Sequence, residues 1–123
     1  MKNDKKHTLV IGGSVKPERY SNKAIRKLND YGHKVSSIGL KDGEVSGTTI
    51  ETGQPEFNDI HTVTMYLGAA RQSTYYDYVL GLKPQRVVFN PGAENSEFAN
   101  ILKKDNIEVV EHCTLVMLDY GLF

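Results

Sequence analysis

The feature that most constrains the fold of this chain is an alternation of short apolar runs with segments of helical periodicity. Five runs are rich in β-branched residues and have the length of strands: residues 8–11, 34–38, 62–67, 86–89 and 107–110. Helical spacing of apolar residues occurs three times, with starts expected at Ser21, Ser73 and Asn95 or Ser96. Strands connected through helices run parallel with right-handed crossovers. The sequence therefore predicts an α/β, Rossmann-like domain of three layers with a parallel five-stranded sheet.

The order of the strands decides where a ligand can bind. We expect the order 3-2-1-4-5, in which the chain reverses its direction across the sheet between the first and the fourth strand. Ligands of such sheets bind outside the carboxyl ends of the strands at this reversal. The crevice would then lie between residues 12–20 and residues 90–95. The polar stretch 39–59 is long for a connection, so we expect it to be functional, mobile or partly structured.

The length and the polar start of the chain predict one domain. A chain of 123 residues fits a single domain, expected at residues 8–123, with residues 1–7 as a disordered tail. No apolar signal core or membrane-length run is found, so we expect a cytoplasmic protein without membrane contact. The only cysteine, Cys113, fits a reducing compartment. The apolar segment 114–123 either packs back on the domain or joins a partner chain in an oligomer.

The charge balance restricts the kind of partner. Fifteen basic residues stand against fifteen acidic residues, which argues against general binding of nucleic acid. An anion site must therefore be local, and the loop that begins Gly12-Gly13-Ser14 suits one. Glycines there let the backbone approach a phosphate, and Arg19 and the hydroxyl of Ser21 would add donors at the helix start. A plain glycine-rich turn is the alternative, but the place of this loop after the first strand favours the anion site.

The loop departs from the dinucleotide-binding pattern, which needs a third glycine and an acidic residue after the second strand. The loop continues as Val15-Lys16-Pro17 without that glycine, and Lys41 follows the second strand where the acid would stand. A cation at this place suits a nucleotide with an additional ribose phosphate, either coenzyme A or NADP. A solvated loop lysine is an equal alternative for Lys41.

With these motifs the chain resembles the small stand-alone coenzyme A (CoA)-binding proteins, which are related to the N-terminal domain of the succinyl-CoA synthetase α chain. The resemblance spans about residues 8–118. It is most specific in residues 12–21, where the family has a Gly-Ala-Ser loop followed by Pro-Glu-Arg and Ser, and in residues 111–113, where the family often has a cysteine. Residues 90–97 match the loop after the fourth strand. This chain departs from the family at Gly13, at Gly39-Leu40 and at residues 90–92.

The resemblance implies that CoA or an acyl-CoA binds at the carboxyl edge of the sheet. The contacts would come from the first loop, from the lysine after the second strand, and from the loops after the third and fourth strands. Carried over by position, the binding residues are Gly12, Gly13, Ser14, Arg19, Ser21, Lys41, Gly68, Ala69 and Asn95.

A catalytic apparatus is not evident in the sequence. Cys113 beside His112 is the best candidate for a nucleophile with a base, but neighbours on a strand point to opposite faces. A single cysteine at a strand end is more often small core filler, and no metal-ligand spacing is found. We therefore favour a binding module for CoA or an acyl-CoA. The alternatives are a small NADP-dependent oxidoreductase-like protein and an interaction domain that has lost its ligand.

Overall fold

A sheet of seven strands runs through the computed structural model, which describes residues 4–123. The strands are β1 (Thr8–Gly13), β2 (Val35–Gly39), β3 (Gly43–Val45), β4 (Thr48–Glu51), β5 (Thr62–Met65), β6 (Arg86–Phe89) and β7 (Glu108–Glu111). The helices are α1 (Tyr20–Asp30), α2 (Tyr76–Leu82), α3 (Ser96–Lys104) and α4 (Thr114–Asp119), with 3₁₀ turns at Ala69–Arg71 and Ser73–Tyr75. The strand order is β3-β4-β2-β1-β5-β6-β7, and only the β3–β4 pair is antiparallel.

The expected sheet of five parallel strands in the order 3-2-1-4-5 is wrong in number and in order. All five expected strands are present, but the third of them, β5, pairs with β1 and does not lie beyond β2. The position beyond β2 is filled by β4, which comes from the polar stretch 39–59. The chain therefore reverses between β1 and β5, and the crevice of the domain is shifted accordingly.

The extra strands form a hairpin whose turn can be read from the sequence. Ser46 and Gly47 both have positive φ, at 50° and 82°, which is the backbone of a two-residue hairpin turn. Val45 and Ile50 on either side of the turn are buried. The dipeptide Ser-Gly is a turn signal, but strands of three and four residues are too short to show a clear alternation.

Two apolar layers cover the sheet. Leu9 and Ile11 of β1 belong to the layer that includes residues of α2 and α3, whereas Val10 faces the layer that includes residues of α1 and α4. Buried Met117 and Phe123 belong to this second layer, so the segment 114–123 packs back on its own domain. An oligomer through this segment stays a prediction.

The starts of the helices depart partly from expectation. Arg19, not Ser21, is the N-cap of α1, and its side chain makes no capping hydrogen bond. Asn95 caps α3 by accepting a hydrogen bond from the backbone N–H of Phe98, as expected. The helix expected from Ser73 begins as a 3₁₀ turn and becomes α-helical at Tyr76. α1 lacks a side-chain cap because a basic residue occupies the capping position.

The segment before β1 is held by the amino-terminal edge of the sheet. The backbone N–H of Lys6 donates to Nδ1 of His33 over 2.9 Å, and Nε2 of His7 lies 2.8 Å from the hydroxyl of Ser36. Residues 1–3 of the expected tail lie outside the described residues. No helix in residues 4–123 is both long enough and apolar enough to cross a bilayer.

Replacing Gly39 with alanine is expected to lower the free energy of unfolding by about 1–3 kcal/mol. A Cβ at Gly39 would overlap the carbonyl oxygen of Gly13 and lie 3.1 Å from Cγ2 of Ile50, so strands β1 and β2 would have to separate. Gly81→Ala in α2 is the matched control, because nothing lies within 4 Å of its Cβ. The control should be neutral or stabilising by up to about 1 kcal/mol. Urea denaturation of both variants tests this, and equal stabilities would contradict the close approach of the strands.

Candidate functional site

A cleft of about 1100 Å³ lies along the carboxyl edge of the sheet. It is lined by the loops that follow β1, β2, β5, β6 and β7. The loops follow the strand order β2-β1-β5-β6-β7, and neighbouring strands are about 4.8 Å apart, so the edge from β2 to β7 spans about 19 Å. Because β5 is the neighbour of β1, the loop after β5 faces the first loop. This corrects the expected pairing of residues 12–20 with 90–95, of which only Asn90 and Pro91 line the cleft on the second side.

Seven of the nine predicted binding residues line the cleft. They are Gly12, Gly13, Ser14, Arg19, Ser21, Lys41 and Gly68. Ala69 and Asn95 do not line it, although Ala70 and Arg71 next to Ala69 do. Lys16 and Arg71 also line the cleft, although the sequence did not single them out as binding residues. The feature of the sequence that could have indicated both residues is their position, since each lies in a loop that follows the carboxyl end of a central strand.

The charge of the cleft has one sign. The lining includes Lys16, Arg19, Lys41 and Arg71, and among residues 4–123 no aspartate or glutamate lines the cleft. Within residues 4–123 none of these four side chains makes an ion pair or a hydrogen bond to another residue. Since the whole chain has no net charge, this concentration of cations is local. The arrangement favours an anion with several charges.

The start of α1 adds backbone donors to this cation cluster. Its first turn contains no acidic residue, and no side chain caps its free N–H groups. Arg19, Tyr20 and Ser21 at this helix start all line the cleft. An uncapped helix start carries a partial positive charge and free donors, which suits a phosphate.

The first loop is held in place by two side chains of α1. The amide nitrogen of Asn22 donates to the carbonyl oxygen of Ser14 over 2.8 Å. Arg26 donates to the side-chain oxygen of Asn22 over 2.8 Å and to the carbonyl oxygen of Pro17 over 3.0 Å. Asn22 is buried, so the loop has a defined shape before any ligand arrives. Sequence reasoning missed both residues, although their spacing of four puts them on one helix face.

The two glycines of the first loop have structural reasons of their own. A Cβ at Gly13 would overlap the hydroxyl of Ser37, which donates to the carbonyl oxygen of Val10 over 2.9 Å. Gly12 has a φ of 100°, which other residues rarely adopt. The close approach of β1 to β2 therefore requires Gly13, and the backbone angle requires Gly12, with or without a ligand. The evidence for an anion site lies in the cations and the helix start.

A buried side-chain amide lies under the middle of the cleft. Asn90 is 2% exposed and directly follows β6. Its Nδ2 donates to the hydroxyl of Thr64 over 2.7 Å and to the carbonyl oxygen of Met65 over 3.0 Å, and its Oδ1 accepts from the backbone N–H of Thr114 over 2.8 Å. Asn90 thus joins the ends of β5 and β6 to the start of α4. Asn90, one of the residues at which the chain departs from the family, is therefore a structural polar group whose side-chain hydrogen-bonding atoms are all engaged.

Cys113 is half-buried and lines the β7 end of the cleft. Nδ1 of its neighbour His112 accepts the backbone N–H of Cys113 over 2.8 Å, so this nitrogen is engaged with the backbone. Tyr66, also in the lining, has a hydroxyl whose burial raises its pKa above the usual range, so it stays protonated. No group of three or more His, Cys, Asp or Glu within residues 4–123 is arranged to hold a metal ion.

Comparisons with known proteins agree with this fold. A family model described as "CoA binding domain" matches residues 6–119. The crystal structure of an uncharacterized protein is 43% identical, with a TM-score of 0.95 over 98% of this chain and 99% of the other. A protein from Thermus thermophilus (23% identity, TM-score 0.84, 99% and 93% covered) and a hypothetical protein from Pyrococcus horikoshii (20%, 0.88, 99% and 87%) share the fold. No curated protein matches the chain.

Proposed function

This chain belongs to the CoA-binding domain family, and from that premise we propose that it binds coenzyme A or an acyl-CoA in the cleft along its sheet edge. The observation that carries the proposal is the set of four unpaired cations in a cleft without carboxylates. CoA carries a diphosphate and a 3′-phosphate at one end, so its charge matches this set. The volume of about 1100 Å³ is ample for an extended ligand.

The distribution of charge along the cleft supports one direction for the ligand. Lys16, Arg19 and Lys41 belong to the loops after β1 and β2, and Arg71 follows β5. The loops after β6 and β7 contribute no cation to the lining. We propose that the first loop and the start of α1 hold the diphosphate, that Lys41 holds the 3′-phosphate, and that the uncharged pantetheine arm runs toward Cys113.

We propose a binding role without chemistry on the ligand. The support is that, within residues 4–123, no base makes a hydrogen bond to the thiol of Cys113, and that Nδ1 of the adjacent His112 accepts the cysteine's own backbone N–H. A nucleophile needs a base within hydrogen-bond reach of its reactive atom. The NADP and interaction-domain alternatives give different results in the experiment below.

Calorimetric titration with CoA and with dephospho-CoA tests the site and the direction together, and titrations with acetyl-CoA and NADP test the alternatives. Wild-type protein should bind CoA about tenfold more tightly than dephospho-CoA, because one charge-assisted contact at a partly exposed site is worth about 1–2 kcal/mol. In Lys41→Ala the two ligands should bind equally. Lys34→Ala is the matched control, since Lys34 is exposed and does not line the cleft, and it should keep the preference.

Three results would decide against parts of the proposal. Equal binding of both ligands by the wild type would remove the role of Lys41 but leave the site. Tighter binding of NADP than of CoA would favour the oxidoreductase-like alternative. No binding of CoA, acetyl-CoA or NADP would favour an interaction domain.

A further inference from the structure

Gln72 is a fully buried polar residue at the junction of the two 3₁₀ turns that follow β5. Its amide nitrogen donates to the carbonyl oxygen of Leu67 over 2.9 Å and to the carbonyl oxygen of Ala93 over 2.7 Å. Its side-chain oxygen accepts from Nδ2 of Asn95 over 3.0 Å. A buried amide is costly unless it is paired, so these three bonds define one position for Gln72.

The partners of Gln72 lie in two different loops. Leu67 belongs to the loop after β5, which lines the cleft with Gly68 and Arg71, whereas Ala93 belongs to the loop after β6. The backbone ladder between β5 and β6 ends at the hydrogen bond from Asn90 to Met65. Past that point, no backbone hydrogen bond joins the two loops within residues 4–123. The side chain of Gln72 therefore continues the connection where the sheet stops.

Asn95 completes the connection. Its Nδ2 donates both to Gln72 and to the hydroxyl of Tyr76 over 2.9 Å, and its Oδ1 accepts the backbone N–H of Phe98 over 3.1 Å. Both N–H groups and the oxygen are engaged, and the residue is 9% exposed. A side chain with its amide groups occupied inside the protein is poorly suited to hold a ligand.

We propose that Gln72 and Asn95 are positioning residues that set the distance between the loops after β5 and β6, and through it the affinity of the cleft for CoA. The part of this proposal that concerns CoA affinity rests on the proposed function. It gives Asn95 a different role from the direct contact that the family resemblance implies. Among the cleft cations of the described residues, Arg71 alone lies outside the loops after β1 and β2, so its position is the one that this connection would set.

The variant Gln72→Met tests the proposal, because methionine has a similar length and no hydrogen-bonding amide. Amide hydrogen exchange of the free protein should become about tenfold faster in residues 66–71 and 92–95, where one loop connection is lost, and stay unchanged in β1. Calorimetry well below the melting temperature should show CoA binding about tenfold weaker. Val87→Ala is the control, since it removes buried core volume in β6 without touching the loop connection.

Each outcome of the pair of measurements has a definite meaning. Unchanged exchange in the two loops of Gln72→Met would overturn the positioning role. Faster exchange with unchanged CoA affinity would overturn the link between loop distance and binding. If Val87→Ala weakens CoA binding as much as Gln72→Met does, general loss of stability explains both and the proposal fails. Absence of CoA binding by the wild type would overturn the proposed function and the proposed effect on CoA affinity. The exchange experiment would still decide whether Gln72 and Asn95 position the two loops.

Discussion

Replacing Asn90 with alanine is expected to lower the free energy of unfolding by about 2–4 kcal/mol, although the side chain has no part in the apolar core. Asn90 makes three hydrogen bonds inside the protein, with Thr64, Met65 and Thr114. Alanine would leave the backbone N–H of Thr114 without a partner in buried surroundings, and the carbonyl oxygen of Met65 would keep only the backbone N–H of residue 90. An unpaired buried polar group costs about 1–3 kcal/mol, more than the net gain from forming one hydrogen bond.

The chain offers a matched control for this variant. Asn100 is exposed on α3, so Asn100→Ala makes the same chemical change without burying an unpaired group. Alanine is the better helix former there, and the control should be stabilising by up to about 0.7 kcal/mol. Urea denaturation followed by circular dichroism measures both variants. A free energy of unfolding for Asn90→Ala within about 0.5 kcal/mol of the wild type would contradict the role of this amide.

Acid is expected to destabilise the protein strongly through His33. Burial, together with the smaller effect of the nearby charges of Lys5, Lys6 and Arg86, lowers the pKa of His33 from 6.5 to about 4. The hydrogen bond from the backbone N–H of Lys6 to Nδ1 of His33 agrees with this, because a protonated ring could not accept it. His33 therefore stays neutral in the native protein at neutral pH.

The sign of the pH effect follows from the lowered pKa. As the pH falls below 6.5 the unfolded chain takes up a proton at His33 that the native protein does not, so the unfolded state is favoured. His33 contributes about 3 kcal/mol to the free energy of unfolding, at 1.36 kcal/mol per pKa unit. This contribution is fully present above pH 6.5 and is lost as the pH falls toward 4. The pKa values of His7 and His61 are also lowered, first of all by burial, and they act in the same direction.

The free energy of unfolding should therefore be measured between pH 7.5 and 5 for the wild type and for His33→Asn. The asparagine oxygen can still accept the N–H of Lys6, but it does not titrate. We expect a flatter pH dependence in the variant, with the remaining slope due to His7, His61 and the carboxylates. If both proteins lose stability equally over this range, His33 is not the source of the acid effect.

The local elements and the first loop of the candidate site could be predicted from the sequence. Each depends on residues that are near each other along the chain. The run 8–11 is apolar and β-branched enough to be a strand by itself. Asn95 caps α3 through Phe98, three residues further on. The grouping of Gly12, Ser14 and Arg19 at the mouth of the cleft follows because one strand and one helix start flank them.

The strand order and the roles of the buried amides were decided only by the tertiary structure. β4 has four residues and gains its place through pairing with β2, which excludes the expected third strand from that position. Asn90 forms a hydrogen bond with Thr64, which is 26 positions away along the chain. Gln72 forms one with Asn95, which is 23 positions away. Nothing in the chain near an asparagine or glutamine tells whether its amide will face a ligand or a second loop. That choice depends on which strand ends lie side by side, because a buried amide must pair with whatever polar groups the packed sheet brings to it.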